Sequence, residues 1–286
     1  MAASKARHAG PAMLEPAFTT SSDGCRIAYW SGGNPDGLPV VLLHGFALDH
    51  SVWSPVWRQA GFLDQCYVVA PDLRGHGRSG RPSAEGCAQG RLWADDLDAV
   101  IRSSGAACPA LVAWSYSGRM VFDYLRHYDG ASLRCLNLVA AASLADPSVL
   151  GPRHGYLADL CSADPQVEAV AAIQFLREVL RIDQSLPQFA ALLGVLRQTT
   201  AEQRGWLRNR PLDYDALIAA LTLPVLVTHG EHDAVLRPAH ADNLQQAMPH
   251  ALVSHYGQAG HAPFLDDPER FGNELIHFAE QVAARH

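Results

Sequence analysis

The sequence predicts an α/β fold, in which a mostly parallel β-sheet carries helices on both faces. Short apolar runs such as residues 39–45, 65–72 and 109–113 have the pattern of strands, and segments with helical spacing alternate with them. The runs are continuous, which is typical of strands buried on both faces of a parallel sheet. After residue 143 this alternation stops, and a long stretch with helical spacing and several prolines precedes the return of strand patterns. We therefore expect one α/β domain with a helical insertion.

The individual elements can be placed in chain order. Residues 18–30 are expected to form an antiparallel hairpin that turns at Asp23 and Gly24. The expected parallel strands are residues 39–45, 65–72, 109–113, 133–142, 223–230 and 251–257. The expected helices are residues 54–61, 91–105, the segment after Gly118, and 268–284. The resulting boundaries are a loose N-terminal tail at 1–17, a core at 18–142 and 222–286, and a helical cap, or lid, at 143–221.

Composition limits the classes of function. The chain has 286 residues, of which 48% are hydrophobic and 18% charged, as in ordinary globular proteins close to the size at which one core stops growing. The formal net charge is -7 and no basic run is present, so a nucleic-acid partner is not expected. No apolar stretch approaches the length of a membrane span, so a membrane partner is not expected either.

The N-terminus and the cysteines predict a cytoplasmic protein. No hydrophobic segment follows the basic residues near the start of the chain, which argues against a secretory signal. The six cysteines are scattered and form no C-x-x-C pair. Buried thiols in a reducing compartment are therefore favoured over a disulfide framework or a zinc site.

A serine at residue 115 is the first candidate catalytic group. It lies between the strand at 109–113 and the helix that follows Gly118, within the sequence Ala113-Trp114-Ser115-Tyr116-Ser117-Gly118. A turn sharp enough to hold a serine out at the top of a sheet requires small flanking residues, and Ala113 and Ser117 meet that requirement in place of the usual two glycines. The alternative is an ordinary strand-to-helix junction in which the serine caps the helix.

Two later loops carry the groups that could activate this serine. A serine hydroxyl is a poor nucleophile near neutral pH and needs an adjacent base, which itself needs an orienting partner. Asp233 and His261 each follow the end of a predicted strand, so both could meet Ser115 at one edge of the sheet. Asp146, just past another strand, is an alternative acid, whereas His229 lies on a strand and is expected to pack. Asp266 and Asp267 are expected to cap the last helix.

The strand at 39–45 ends in a further candidate element, His44-Gly45-Phe46-Ala47. Gly45 would let the backbone turn back close to Ser115, so that the N–H groups of Phe46 and Tyr116 could point at a developing oxyanion. A structural ring that bridges loops is favoured for His44, although His44 and Trp114 are also candidates for the substrate pocket. The glycine-rich loop at residues 72–79 is expected to be structural, with Arg74 bonded to nearby carbonyl or carboxylate groups, because a lone G-x-G is a weak anion-binding signal.

Taken together, these motifs resemble the α/β-hydrolase superfamily. The matching pieces are VVLLHGF, APDLRGHGRS, LVAWSYSG, VLVTHGEHD and GQAGHAPFLDDP, which follow one another between residues 39 and 268. The resemblance implies an eight-stranded sheet with a helical cap, Ser115 as nucleophile, His261 as general base, Asp233 as orienting acid, and Phe46 and Tyr116 as oxyanion donors. It implies no metal and no cofactor. Serine at the turn argues against haloalkane dehalogenases and epoxide hydrolases, and a single HGF argues against HGGG-type lipases.

Three functions are compatible with these residues. The first is hydrolysis of carboxylic esters or lactones, with a small-molecule substrate that has an apolar acyl part. The second uses the same three residues for perhydrolysis, as in cofactor-free haloperoxidases, or for cleavage of a carbon–carbon bond. The third is a ligand receptor or pathway accessory protein with slow turnover, because one fold supports many functions. Neither the physiological substrate nor the oligomeric state can be derived from these patterns.

Overall fold

Eight strands form a single sheet in the part of the chain that the computed structural model describes, residues 14–284. The strands are β1 (Glu15–Thr20), β2 (Arg26–Gly33), β3 (Leu38–Leu43), β4 (Cys66–Pro71), β5 (Ala110–Trp114), β6 (Cys135–Val139), β7 (Val225–Gly230) and β8 (Leu252–Tyr256). Their order across the sheet is β1-β2-β4-β3-β5-β6-β7-β8. The β1–β2 and β2–β4 pairs are antiparallel and all the others are parallel. This confirms the predicted eight-stranded, mostly parallel α/β fold.

Helices connect the strands and cover the sheet. They are α1 (Ser54–Trp57), α2 (Phe62–Gln65), α3 (Ala84–Ala88), α4 (Gly90–Ser104), α5 (Ser117–Tyr128), α6 (Tyr156–Asp159), α7 (Pro165–Gln174), α8 (Pro187–Leu196), α9 (Ala201–Arg208), α10 (Asp215–Ala219), α11 (Ala239–Ala247), α12 (Pro263–Asp266) and α13 (Pro268–Ala283). Every residue of β5 and β6 is buried, as expected for central strands covered on both faces. Such strands have no solvent-facing positions, which is why their sequences are continuously apolar.

The segment between β6 and β7 is helical. It contains α6 to α10 and a π-helical turn at Phe175–Val179, and this part of the described chain has no strand. One buried cluster joins its end to helix α5: Asp123 accepts hydrogen bonds from the Arg210 guanidinium and from the Tyr214 hydroxyl. The segment matches the helical pattern expected over 143–221, and its role as a cap remains a prediction.

The predicted N-terminal tail at residues 1–17 is wrong at its C-terminal end. Residues 15–17 already belong to β1 and pair with residues 29–31 of β2. The hairpin is therefore longer than the alternation of side chains in residues 18–30 indicated, because backbone pairing continues past the last alternating position. Residues 1–13 lie outside the described part of the chain.

All six cysteines are free thiols, and three of them, Cys66, Cys87 and Cys135, are buried. Cys108 is exposed, which corrects the expectation of uniformly buried thiols: it lies in the loop before β5, ahead of the buried residues. Within residues 14–284, none of the helices combines the length and the apolar character that crossing a bilayer would require.

The loop after β4 is held by a buried ion pair. The Arg74 guanidinium is fully buried and its Nε lies 2.6 Å from Oδ2 of Asp96 on helix α4, while its Nη2 lies 2.6 Å from Oδ1 of the same residue. Arg74 also donates to the carbonyls of Gly86 and Leu92. The expected structural role of this loop fits these contacts, since nearly every donor of the guanidinium is used inside the protein.

We expect Asp96→Ala to lower the free energy of unfolding by about 3 kcal/mol, because the buried Arg74 guanidinium would lose its two shortest contacts and keep only the partly exposed Asp23 carboxylate, 3.1 Å from its Nη1, as a counter-ion. Urea denaturation followed by circular dichroism would measure the change. Asp98→Ala is the matched control: it lies on the same helix, but its partner Arg102 is 75% exposed, so a loss of less than about 1 kcal/mol is expected. Equal losses in the two variants would contradict a special role for the buried pair.

Candidate active site

Ser115 occupies a strained turn between β5 and α5. Its backbone φ is +53°, in the left-handed region that non-glycine residues rarely adopt. Two hydrogen bonds to the neighbouring chain hold it there: Ser115 N donates to Val139 O at 2.9 Å, and Ala142 N donates to Ser115 O at 2.8 Å. Strain of this kind persists only where the surroundings fix it, and functional residues are frequent among such cases.

Close packing and buried hydrogen bonds explain why small residues follow the serine. A Cβ on Gly118 would lie 2.6 Å from Ala142 O, closer than atoms can approach, so any larger residue would force α5 away from β6. Ser117 is fully buried, and its hydroxyl donates toward Leu43 O at 3.0 Å and Trp114 O at 2.9 Å. Serine therefore replaces the usual glycine at this position without leaving a buried hydroxyl unbonded.

His261 lies between the serine and the aspartate. Its Nε2 is 2.8 Å from Ser115 Oγ, and its Nδ1 is 2.8 Å from Asp233 Oδ2. These contacts fix the orientation of the ring, with Nδ1–H donating to the carboxylate and Nε2 facing the hydroxyl. The three side chains, from three loops that follow β5, β7 and β8, meet as the sequence predicted.

Asp233 is buried and strongly bonded. Its Oδ1 accepts from the backbone N–H groups of Val235 at 2.7 Å and Leu236 at 3.0 Å. Burial by itself would raise the pKa of Asp233, but the charge and hydrogen bond of His261 and a hydrogen bond from His229 hold that pKa well below its usual range. The group therefore stays an anion, which is what a partner for an imidazolium requires.

His229 is a second imidazole on the same carboxylate. Its Nε2 lies 3.2 Å from Asp233 Oδ2 and 3.0 Å from Leu236 O. Burial lowers the pKa of His229, but the neighbouring carboxylate outweighs this and raises it. The sequence indicated that this residue packs, and its position one residue before the end of β7 gave no sign that it also contacts Asp233.

The loop that carries His261 is fixed from two sides. Trp114 Nε1 donates to His261 O at 2.8 Å, and Gly260 N donates to Asp266 Oδ2 at 2.9 Å. The prediction that Asp266 caps the last helix is therefore wrong, because its carboxylate turns back to this loop. Asp267 does cap α13, by accepting from Arg270 N.

Two backbone N–H groups are available beside the serine. Phe46 and Tyr116 both line the cavity that contains Ser115, and within residues 14–284 neither backbone N–H donates a hydrogen bond to another protein group. The loop carrying Phe46 is held by two buried histidines. His44 Nε2 accepts from Leu73 N at 3.0 Å, and His76 Nε2 accepts from Ala47 N at 3.2 Å. Free N–H groups on a fixed loop have the chemistry of an oxyanion hole.

A cavity of about 400 Å³ opens above Ser115. Most of its walls are apolar, and they come from the segment after β6, from the helical segment and from the loop after β7. The apolar lining residues are Phe46, Ala142, Leu144, Ala145, Pro147, Val149, Leu150, Leu157, Leu212, Val235 and Leu236. This volume lies in the usual range for pockets that bind small molecules.

The predicted pocket residues His44 and Trp114 are not part of this wall. His44 is fully buried and Trp114 is 1% exposed. The His44 ring points beneath the loop to bond Leu73 N, and the Trp114 indole packs edge-on to Trp53 and bonds His261 O. Neighbouring residues on a strand point to opposite faces, so a side chain beside an outward-pointing serine tends to point inward.

The alternative acid, Asp146, does not contact His261. Its carboxylate accepts from Ser148 N at 2.9 Å and from the Asn243 amide at 2.9 Å, and it lines the cavity.

One group of side chains in the described residues has the chemistry of a metal site, namely Asp49, His50 and Asp72. Asp72 already accepts from His50 N, His50 Nδ1 and Arg78 N, and Asp49 accepts from the backbone and the hydroxyl of Ser51. Hydrogen bonds therefore account for this cluster.

The chain belongs to the α/β-hydrolase family, whose family model matches residues 40–274. It is similar to a solved structure from Burkholderia cenocepacia assigned as an aryl esterase, with 28% identity, a TM-score of 0.87, and coverage of 94% of this chain and 100% of the other. Another similar structure is esterase RhEst1 from Rhodococcus sp. ECU1013, with 29% identity, a TM-score of 0.84, and coverage of 93% and 99%. Among curated proteins it is 26% identical to a non-heme chloroperoxidase from Streptomyces lividans over 275 residues, 91% of this chain and 98% of the relative. These likenesses support a hydrolase enzyme.

We expect Asp233→Asn to destabilise the protein in a pH-dependent way. A carboxyl whose pKa is lowered on folding contributes stability above its ordinary pKa near 4, and this contribution is lost as the pH falls. The difference in unfolding free energy between wild type and variant should therefore be present at neutral pH and shrink below about pH 4. Urea titrations at several pH values would measure it. Asp36→Asn, in an exposed loop, serves as control, and a difference that grows in acid would contradict the assignment.

Proposed function

We propose that the protein is a serine hydrolase of carboxylic esters or lactones that works through an acyl-enzyme. The observation that carries this proposal is the position of His261, whose two ring nitrogens lie 2.8 Å from Ser115 Oγ and 2.8 Å from Asp233 Oδ2. A hydroxyl, an imidazole and a carboxylate in this order form the arrangement that makes serine a nucleophile. The similar esterases support the same class of substrate.

The proposed reaction follows from the positions of these groups. His261 Nε2 takes the proton of Ser115 as Oγ attacks the substrate carbonyl, and Asp233 stabilises the imidazolium that forms. The N–H groups of Phe46 and Tyr116 donate to the oxyanion, and each such donor typically contributes about 10²–10³-fold to the rate. The imidazolium then protonates the leaving alcohol. Water, deprotonated by His261, cleaves the acyl-enzyme and restores Ser115.

The helical segment between β6 and β7 would act as the cap over this site. It contributes His154, Leu157, Arg208 and Leu212 to the cavity wall opposite Ser115. Leu157 and Leu212 would accept an apolar acyl part, and the segment as a whole would keep bulk water from the acyl-enzyme. The reaction requires no metal and no cofactor.

Perhydrolysis is a second candidate, favoured by the likeness to the non-heme chloroperoxidase. In that reaction hydrogen peroxide replaces water as the acceptor. It attacks the acyl-enzyme carbonyl, gives up a proton to His261, and leaves as a peracid while Ser115 regains its hydrogen. Product analysis with an ester in the presence of peroxide would separate the two, since a peracid forms only in the second case.

We expect a fluorophosphonate probe to label the protein once per chain, and Ser115→Ala to abolish labelling and to lower kcat for a 4-nitrophenyl ester by about 10⁴-fold or more. Intact-mass spectrometry and an absorbance assay would measure the two effects. Ser185→Ala, an exposed serine far along the chain, should leave both unchanged.

Two results would contradict the proposal. One is full labelling of the Ser115→Ala variant, and the other is absence of labelling in folded wild type. Tight binding of ligands to the cavity with negligible turnover of a panel of esters would instead favour the receptor function.

A further inference from the structure

The cavity above Ser115 has a positively charged wall, although the chain as a whole carries a net charge of -7. Arg119, His154 and Arg208 all line the cavity. Burial is the main cause that lowers the pKa of His154, and the positive charges of Arg208 and Arg119 lower it further. No carboxylate lies within ion-pair distance of either guanidinium among residues 14–284.

Arg119 is the more buried of the two arginines. It lies on α5, four residues after Ser115, so it faces the same cavity about one helical turn further on. Its Nη1 donates to Arg210 O and, at 2.8 Å, to Pro211 O, which leaves its buried Nε with no partner. Burial lowers the pKa of Arg119, as expected for a cation without a counter-ion. Proteins rarely bury an unpaired charge unless it binds something.

Arg208 and His154 complete the wall from the helical segment. The Arg208 side chain is exposed and makes no hydrogen bond or ion pair with the described residues, so its guanidinium is available to a ligand. His154 Nδ1 is buried and has no partner. Arg119, from the helix after the serine, and Arg208, from α9, therefore present unused guanidinium donors to one volume, beside the unpartnered Nδ1 of His154.

The carboxylate that shares the cavity does not neutralise this wall. Asp146 is bonded to Ser148 N and Asn243, and the titratable group whose charge acts on it is His240, on α11. Most of the remaining lining residues are apolar. A ligand that fits all of these features has an apolar part, a reactive carbonyl at Ser115 and an anionic group at the wall that contains Arg119, His154 and Arg208.

We propose that the substrate carries a carboxylate on its acyl part, separated from the scissile carbonyl by a short apolar chain, as in a half-ester of a dicarboxylic acid or a lactone that bears a free carboxylate. This inference rests on the proposed serine hydrolase function. Guanidinium groups pair with carboxylates through short, charge-assisted hydrogen bonds, and the two arginines supply several such donors.

A matched pair of esters tests the inference. Mono-4-nitrophenyl adipate and 4-nitrophenyl hexanoate have the same leaving group and the same acyl length, and they differ in the terminal carboxylate. An apolar cavity without an anion site would favour the hexanoate, because burying an unpaired carboxylate is costly. We expect the wild type to have the higher kcat/KM on the adipate ester. We also expect Arg119→Gln and Arg208→Gln each to lower the ratio of the two kcat/KM values by about 10-fold.

The variants carry their own controls. Arg102→Gln, an exposed arginine on α4, should leave the ratio unchanged. Because Arg119 also holds the carbonyls of Arg210 and Pro211, its variant can fail to fold, in which case Arg208→Gln, which breaks no internal bond, still decides the matter. A wild-type ratio below one, or a ratio unchanged in Arg208→Gln, would overturn the anion site.

Failure of the hydrolase function gives a different result. In that case neither ester turns over and the fluorophosphonate does not react. Equilibrium binding to Ser115→Ala then tests the anion site alone: the adipate ester should bind more tightly than the hexanoate ester, and Arg208→Gln should remove that preference. Equal binding of the two esters would refute the inference without reference to turnover.

Discussion

The site depends on one backbone constraint, the left-handed conformation of Ser115. This conformation costs a non-glycine residue about 1–2 kcal/mol, and here the cost is offset by hydrogen bonds with Val139 O, at the end of β6, and with Ala142 N, in the segment that follows it. The turn aims the hydroxyl at His261 and leaves the next N–H, that of Tyr116, unbonded beside it. It also brings α5 so close to the segment after β6 that only glycine fits at position 118. The direction of the Ser115 hydroxyl, the unbonded N–H of Tyr116 and the course of α5 all depend on this one conformation.

Buried histidines form much of the polar framework around this turn. Burial lowers the pKa of His76 to about 3, and burial likewise lowers the pKa of His44 and of His240. These rings are therefore neutral, and a neutral imidazole can accept at one nitrogen while it donates at the other. His44 and His76 use this property to bind the loop that carries Phe46. A lysine or arginine could not replace them, because neither has an acceptor.

The strands and the three polar side chains of the site could be derived from the sequence because both depend on local pattern. Continuous apolar runs marked the buried strands, and Ser115, Asp233 and His261 each follow such a run, which places them at one edge of the sheet. The prediction that His44 and Trp114 line the pocket was wrong because a residue next to a pocket residue in the sequence can have a side chain that points in another direction.

The positively charged wall of the cavity was missed for another reason. Helical spacing shows that a helix such as α9 has two faces, but not which face meets the core, so Arg208 carried no signal. His154 lies in a loop, where no periodicity indicates the direction of a side chain. Arg119 did carry a signal, through its spacing of four from Ser115.

Two walls of the cavity contact the turn at Ser115 through different kinds of hydrogen bond. Ala142, where the wall after β6 begins, donates its N–H to the carbonyl of Ser115 itself. The wall formed by α6 to α10 meets the turn mainly through side chains, such as the Tyr116 hydroxyl that donates to Leu207 O. Changes in the two walls should therefore have different effects on the site. Replacements in the helices can reshape the cavity while the backbone at Ser115 keeps its conformation, whereas insertions near Ala142 would displace the main chain of Ser115 itself.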